Sequence, residues 1–294
     1  MSTVESEIAV QDYFEMSAMG RSDLREIDED PALYDLRRRG LAKPRPITEA
    51  MAFGSALAAY LTTGKGPDPL KGYRVVEFDS FRSNAAKEER KFLIENLGVD
   101  ESMVITTTKA AALRGESKQQ ADRLEECVRQ IRDTEEANKL ILGCIDRDPV
   151  YQPILAWEDE SGADLKSLPD RVIPGLAIVD LKTTAKPNSV ESFMKQSRDM
   201  WYSTQAHMMQ KGWQVHDGEL LPVIFVIVRS VEPFNVEIIQ VDSDYLNHGE
   251  RRMRRAIEWH AECRRSGKWV SRTHNQITPA KTPSYWFNEF KEAA

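Results

Sequence analysis

Asp170, Asp180 and Lys182 stand close together in a 294-residue chain, in the stretch 169–184 that reads Pro-Asp-Arg-Val-Ile-Pro-Gly-Leu-Ala-Ile-Val-Asp-Leu-Lys-Thr-Thr. Two acids and a lysine at this spacing suit metal-assisted attack on a phosphate. The apolar runs Val172-Ile173 and Leu176-Ala177-Ile178-Val179 flank Pro174-Gly175, a turn signal, so the segment predicts a β-hairpin. A three-residue loop centred on Gly175 sets Asp170 opposite Asp180. Side chains alternate along a strand, which puts Asp180 and Lys182 on one face and Leu181 on the other. Carboxylates directly opposite each other repel. A divalent cation between them removes that cost, and Mg²⁺ is commonly held by one or two carboxylates with water and substrate phosphate. Lys182 would then stand beside the metal, where it can stabilise negative charge on a phosphate under attack. The same residues also read as a solvated hairpin tip. The apolar strand leading into Asp180 favours the end of a buried strand.

The elements that follow have to position these groups. After Pro187-Asn188-Ser189, a helix-start signal, a helical pattern runs from about Val190 to Gly212. Its apolar positions are Val190, Phe193, Met194, Trp201 and Met208. Gln205 falls on that inward stripe, away from the face with Lys195, Arg198 and Asp199. A buried amide needs partners, and the polar end of the hairpin can supply them; nearby backbone is the plainer alternative.

Pro169-Asp170, Asp180-Leu181-Lys182-Thr183-Thr184, Tyr202 and Gln205 resemble the core motif of the PD-(D/E)XK nucleases, in particular the RecE-type (exonuclease VIII-like) branch, which is itself similar to RecB-like domains. Outer segments extend the likeness. Ser17, Ser22, Leu24, Pro31 and Tyr34 resemble the opening Ser-x-Ser-x-x-Leu…Pro-x-x-Tyr pattern, and Gly54-Ser55-Ala56 the start of a Gly-x-Ala-x-His helix. RSNAAKEERKFL at 82–93 and Trp157-Glu158-Asp159 add to it, so the likeness spans roughly 15–270. It implies an α/β restriction-endonuclease-like core, a mixed central sheet flanked by helices, with helical additions at 1–60 and 105–145. The division expected is a helical segment at 1–48, the nuclease domain at 49–270 and a tail at 271–294.

The resemblance also implies an activity: Mg²⁺-dependent DNA exonuclease, with Mn²⁺ able to substitute, digesting linear duplex 5′ to 3′ for recombination in a bacterial or phage-infected cell. Asp170, Asp180 and the Leu181 carbonyl would hold the metal. Lys182 would orient or activate the attacking water, and Gln205 would position water, Lys182 or the phosphate. Partners implied are DNA ends, a single-strand annealing protein, and further copies in a ring-shaped oligomer. A catalytically weakened DNA-binding or assembly module, and a RecB-like nuclease on single strands, are the alternatives.

Three positions depart from the pattern. Ala58 stands where the motif helix has His, Met209 where a Tyr often follows the Gln, and Leu168 where an Arg often precedes Pro-Asp. His207, His216, His248, His260 and His274 lie outside the motifs. Glu158 and Asp159 are further acids that could approach the metal, or sit in a solvated loop.

Composition agrees with a folded protein: 30% charged and 41% hydrophobic residues, with a net charge of −7. No apolar run reaches the roughly 18 residues of a membrane span, and MSTVESEIAVQDYF lacks the form of a secretory signal. Cys127, Cys144 and Cys263 are scattered, which suggests neither a disulfide framework nor a zinc cluster and fits a cytoplasmic location. The acidic total does not advertise nucleic-acid binding, but its distribution is uneven. Arg251, Arg252, Arg254, Arg255, Arg264, Arg265 and Lys268 punctuate one predicted helix, 245–265, and its exit, and Arg37-Arg38-Arg39 to Arg45 form a second basic stretch. Such runs read either as solvated faces or as contacts to a phosphate backbone. Helices are also predicted at 49–63 and 109–142, and strands at 73–78, 154–157, 221–231 and 234–241.

Overall fold

The computed structural model describes residues 16–43, 48–63, 73–99, 101–143 and 148–274, with residues 13, 45, 277 and 279. The predicted loop at 64–72, Cys144 and the aromatic run 285–287 lie outside them. Helices α1 (Arg21–Glu29), α2 (Pro31–Arg38) and α3 (Glu49–Thr63) open the chain. Next comes a small βαβ unit in which β1 (Arg74–Val76) and β2 (Val104–Thr106) pair in parallel around α4 (Asn84–Leu97). Helices α5 (Thr107–Asp133) and α6 (Glu135–Ile141) lead to β3 (Val150–Tyr151) and to the hairpin β4 (Leu155–Glu158)–β5 (Asp164–Ser167). The rest is β6 (Arg171–Ile173), β7 (Ala177–Thr184), α7 (Val190–Met200), α8 (Tyr202–Asp217), β8 (Val223–Arg229), β9 (Val236–Gln240) and α9 (Ser243–Ser266).

The main sheet has the order β3-β6-β7-β8-β9, with β7 and β8 parallel and the remaining pairs antiparallel. It is the mixed sheet expected. Its two faces follow from strand alternation. Ala177 and Val179 on β7, with Val226 and Val228 on β8, pack against Phe53 and Leu57 of α3 and Leu124, Val128 and Ile131 of α5. Ile178 on β7, with Phe225 and Ile227 on β8, packs against Phe193 of α7, Ala206, Met209 and Trp213 of α8, and Tyr245 of α9. A third cluster joins Leu24 and Ile27 of α1 and Tyr34 of α2 to Trp201, Met208 and Met253. The described helices within the stretches expected as helical additions thus pack as layers of the body. Removing some two dozen large apolar side chains from water, at about 1.5–3 kcal/mol each, is the main favourable contribution to this arrangement.

Two long helices expected as continuous are broken. The pattern at 190–212 is interrupted at Trp201, which is fully buried with φ 58 and ends α7 while opening α8. A left-handed conformation is costly for a bulky residue and persists only where packing fixes it. Val190 and Met194 consequently point outward, 57% and 45% exposed, although the continuous stripe placed them inward. The 109–142 pattern likewise breaks at Thr134, whose backbone is extended.

Candidate active site

The β6–β7 hairpin forms with the predicted three-residue loop. Ile173 pairs with Ala177 and Gly175 takes φ 68, a left-handed position that glycine adopts without steric cost. Glu219 Oε2 accepts a hydrogen bond from Gly175 N at 2.9 Å. At the other end, one step past the Arg171–Val179 pair, Asp170 stands level with Asp180. Gln152 N donates to Asp170 O at 3.1 Å and continues the β3 pairing. The neighbouring Arg171 is buried and donates to Leu140 O and Gly143 O, both at 3.0 Å, which ties this strand to the end of α6.

Asp180 follows Ile178 on the α8-facing side of the sheet and is 2% exposed. Its Oδ1 accepts a hydrogen bond from Gln205 Nε2 at 3.0 Å, and its Oδ2 forms an ion pair with Lys182 Nζ, a charge contact without an aligned hydrogen bond. Asp170 Oδ2 accepts a hydrogen bond from Leu181 N at 2.7 Å. Burial and the Asp180 charge push the Asp170 carboxyl up to about 7, against the opposing pull of Lys182 and the Leu181 N–H. For Lys182, burial disfavours the ammonium, but Asp180, Tyr202 and Asp170 outweigh it and hold the pKa above the usual lysine value. Lys182 Nζ lies 4.9 Å from the centre of the Tyr202 ring.

The structure therefore brings Asp170, Asp180, Leu181, Lys182 and Gln205 together. The break at Trp201 is what sends α8 off in the direction that places Tyr202 and Gln205 over β7. Gln205 Oε1 is buried without a hydrogen-bond partner, and a buried amide oxygen left so costs about 1–3 kcal/mol. Two facing carboxylates, one with its proton affinity raised by the other, and an unsatisfied acceptor suit a hard divalent cation with oxygen ligands. Among the described residues no group of three or more His, Cys, Asp and Glu could hold a metal.

Other sequence candidates sit elsewhere. Glu158 and Asp159 belong to the β4–β5 tip, where Asp159 Oδ2 accepts from Ser161 N at 3.2 Å and Ser161 Oγ at 2.9 Å. Ala58 lies one turn along α3 from Gly54, whose Cα approaches so closely that an added Cβ would meet Thr183 Oγ1 at 3.3 Å. That helix covers the sheet face opposite Gln205.

Arg21 is a residue the motif reading passed over. Its Nη1 donates to Met200 O at 2.5 Å, and its guanidinium is 5.9 Å from the Tyr202 ring. Burial lowers its pKa while Tyr202 and Asp180 raise it. Only its place between Ser17 and Ser22 in the opening motif could have drawn attention to it. What brings it to the site is Met19, which pairs with Leu165 of β5 and anchors the start of α1.

The family model of a PDDEXK-like domain of unknown function (DUF3799) matches residues 22–276. The chain belongs to this family. The model covers nearly all of the described body, from α1 to beyond α9, and with it the membership of the PD-(D/E)XK superfamily that the motifs suggested. The fold of this PDDEXK-like protein is similar to a crystal structure of a candidate exonuclease from Eubacterium rectale, with TM-score 0.58 and 16% identity over 98% of this chain and 97% of that one. An alkaline exonuclease from Laribacter hongkongensis also matches, with 14% identity over 67% of this chain and 92% of that one, at a TM-score of 0.28 that is too low to inform the fold. Among curated proteins none matches. No helix among the described residues is long and apolar enough to cross a membrane.

Proposed function

We propose that this PDDEXK-like protein is a divalent-metal-dependent DNA exonuclease, with Mg²⁺ as the working ion and Mn²⁺ as a substitute. The observation that carries the reading is that Asp170 stands level with Asp180, which lies midway along β7 rather than at the strand end expected from the sequence, with Lys182 and Gln205 both on Asp180. Asp170, Asp180 and the Leu181 carbonyl would hold the ion. Bound there, it would polarise a phosphoryl oxygen and lower the pKa of a water. Lys182, kept charged by its acidic neighbours, then leaves Asp180 for the phosphate oxygens as negative charge builds on them. The free Gln205 Oε1 accepts a hydrogen bond from the attacking water or from Lys182 and so fixes its direction.

Linear duplex as the substrate, 5′-to-3′ polarity, a role in recombination beside a single-strand annealing protein, and a ring-shaped oligomer are carried by the sequence resemblance. The division at residues 48 and 270 goes with them, and a cytoplasmic setting is supported by the scattered cysteines. Digestion of 5′- and 3′-end-labelled linear duplex in Mg²⁺, in Mn²⁺ and in EDTA tests the activity. Progressive shortening from the 5′ label, abolished by EDTA, is expected. No shortening with either metal would overturn the reading.

A second reading, a nuclease fold kept as a DNA-binding module, is favoured by one observation. The site has two carboxylates and, among the described residues, no third acid or imidazole gathered with them.

A further inference from the structure

The predicted basic helix α9 divides in two. Arg254, Arg255 and Arg265 are engaged by carboxylates: Arg254 with Glu250 at 2.9 Å, Arg255 with Asp28, Arg265 with Glu262. Among the described residues Arg251, Arg252 and Arg264 on α9 have no carboxylate partner within ion-pair distance, and the same holds for Arg21 on α1. Arg264 lies in the last turn of α9, more than three turns past Arg252; the other three gather at one corner. Arg252 lies 3.9 Å from the Trp201 ring and donates to Arg198 O at 2.7 Å, two residues before the carbonyl of Met200 that takes Arg21. Arg251 and His248 flank Arg252 on the exposed side, with His248 Nδ1 3.0 Å from Ser203 Oγ.

The order along this corner matters. Lys182 and Arg21 share the Tyr202 ring, and Arg252 covers the ring of Trp201, the preceding residue. Three cations are therefore laid along two consecutive aromatic residues, from Asp180 outward. A plainer role is visible: Arg21 and Arg252 cap the last carbonyls of α7, where a cation is favourable. That role uses one nitrogen of each guanidinium, which has five N–H donors. Asp180 acts on Arg21, and Asp28 and Glu29 on Arg252, from beyond ion-pair distance, and cations gathered at one corner raise the local potential. Burial, with Arg252, Arg251 and Arg255, pushes the pKa of His248 below its ordinary value.

We propose that the α7–α8 corner is a phosphate track, in which Arg21 and Arg252, with Arg251 and His248 at its rim, hold consecutive phosphates of the DNA strand whose scissile phosphate lies at Lys182. The proposal rests on the nuclease reading. Cations set one after another along two consecutive residues suit a repeating polyanion. Because such interactions are with the sugar–phosphate backbone, they confer register without base preference.

The test is binding of a fluorescein-labelled duplex by the full chain carrying Asp180→Asn, followed by anisotropy in EDTA over a salt series. Removing a cation that neutralises one phosphate flattens the slope of log K against log salt by about 1. Arg251→Gln, which breaks no ion pair within the protein, and Arg252→Gln should each weaken binding several-fold and flatten that slope. Arg252→Lys should restore the slope, and Arg265→Gln should leave affinity and slope unchanged. Thermal melts distinguish damage to the α7 cap from weakened DNA binding in Arg252→Gln. If unsubstituted protein digests duplex while Arg251→Gln and Arg252→Gln bind with unchanged affinity and slope, the track is overturned and the nuclease reading stands. If unsubstituted protein neither binds nor digests DNA, both fall.

Discussion

Two antiparallel hairpins in this chain set acids against each other, with opposite consequences. In β4–β5, Glu158 pairs directly with Asp164; both are exposed, and the adjacent Asp159 is satisfied by Ser161 with Arg254 nearby. In β6–β7, Asp170 stands level with Asp180, but the ladder is walled by Val172, Ile173, Ile178 and Val179, all fully buried. Water screens the first pair, so it asks for nothing. Beside the buried Asp180, and largely shielded from water itself, the Asp170 carboxyl has its pKa raised toward neutrality. Opposed carboxylates become a candidate metal site through their surroundings, not their spacing.

The largest effect expected separates the two hairpins by activity. Asp180→Asn keeps the size of the side chain and removes its charge, so metal-dependent cleavage should fall to background with the thermal melt preserved. Asp164→Asn should leave cleavage unchanged. Equal rates for the two variants would erase the distinction.

Next in size is Lys182→Ala. A group that acts on charge developing in the transition state should cost about 10²–10³ in kcat, with duplex affinity little altered. A matched loss of affinity and turnover would make Lys182 a phosphate anchor instead.

A smaller effect concerns protons. In the folded, metal-free protein Asp170 titrates near 7 against an ordinary 3.8. Between those values the folded state binds more protons than the unfolded chain. The stability Asp170 contributes is therefore full below about 3.8 and is lost as pH rises through about 7. Melting temperatures in EDTA should decline across that window, less so in Asp170→Asn, while Asp164→Asn should follow the unsubstituted protein. Metal titrations sharpen the point, since the ion needs the carboxylate: affinity should weaken as pH falls below about 7. A flat melting profile would refute the coupling.

The smallest is a gain. Ala58→His, on α3, should lower the metal concentration needed for half-maximal cleavage by a few-fold, with imidazole taking a coordination position that water otherwise fills. Unchanged metal dependence would mean that a side chain at position 58 does not reach the ion from the opposite face of the sheet.

Much of the site was legible because it is local. Val172-Ile173, Pro174-Gly175 and Leu176–Val179 specify a hairpin and its register, and a fixed register with alternation places Asp170, Asp180 and Lys182. The short strands β2, β3 and β5 escaped notice. Two to four residues carry too little periodicity, and Asp164-Leu-Lys-Ser looks like a loop until Met19 and β4 pair with it. Arg21 escaped for a related reason, since only the pairing of Met19 with β5 carries α1 to Tyr202.

By itself, then, the sequence determined the hairpin, the shared face of Asp180 and Lys182, the helical identity of the Gln205 segment and membership of the PD-(D/E)XK superfamily. Only the tertiary structure decided that α7 and α8 separate at Trp201, that Gln205 reaches Asp180, and that α9 divides into paired and unpaired arginines. The reason is physical. Turn chemistry and alternation act between neighbours in the chain, whereas a left-handed tryptophan or a partner for Arg255 is fixed by residues far away in sequence, such as Asp28.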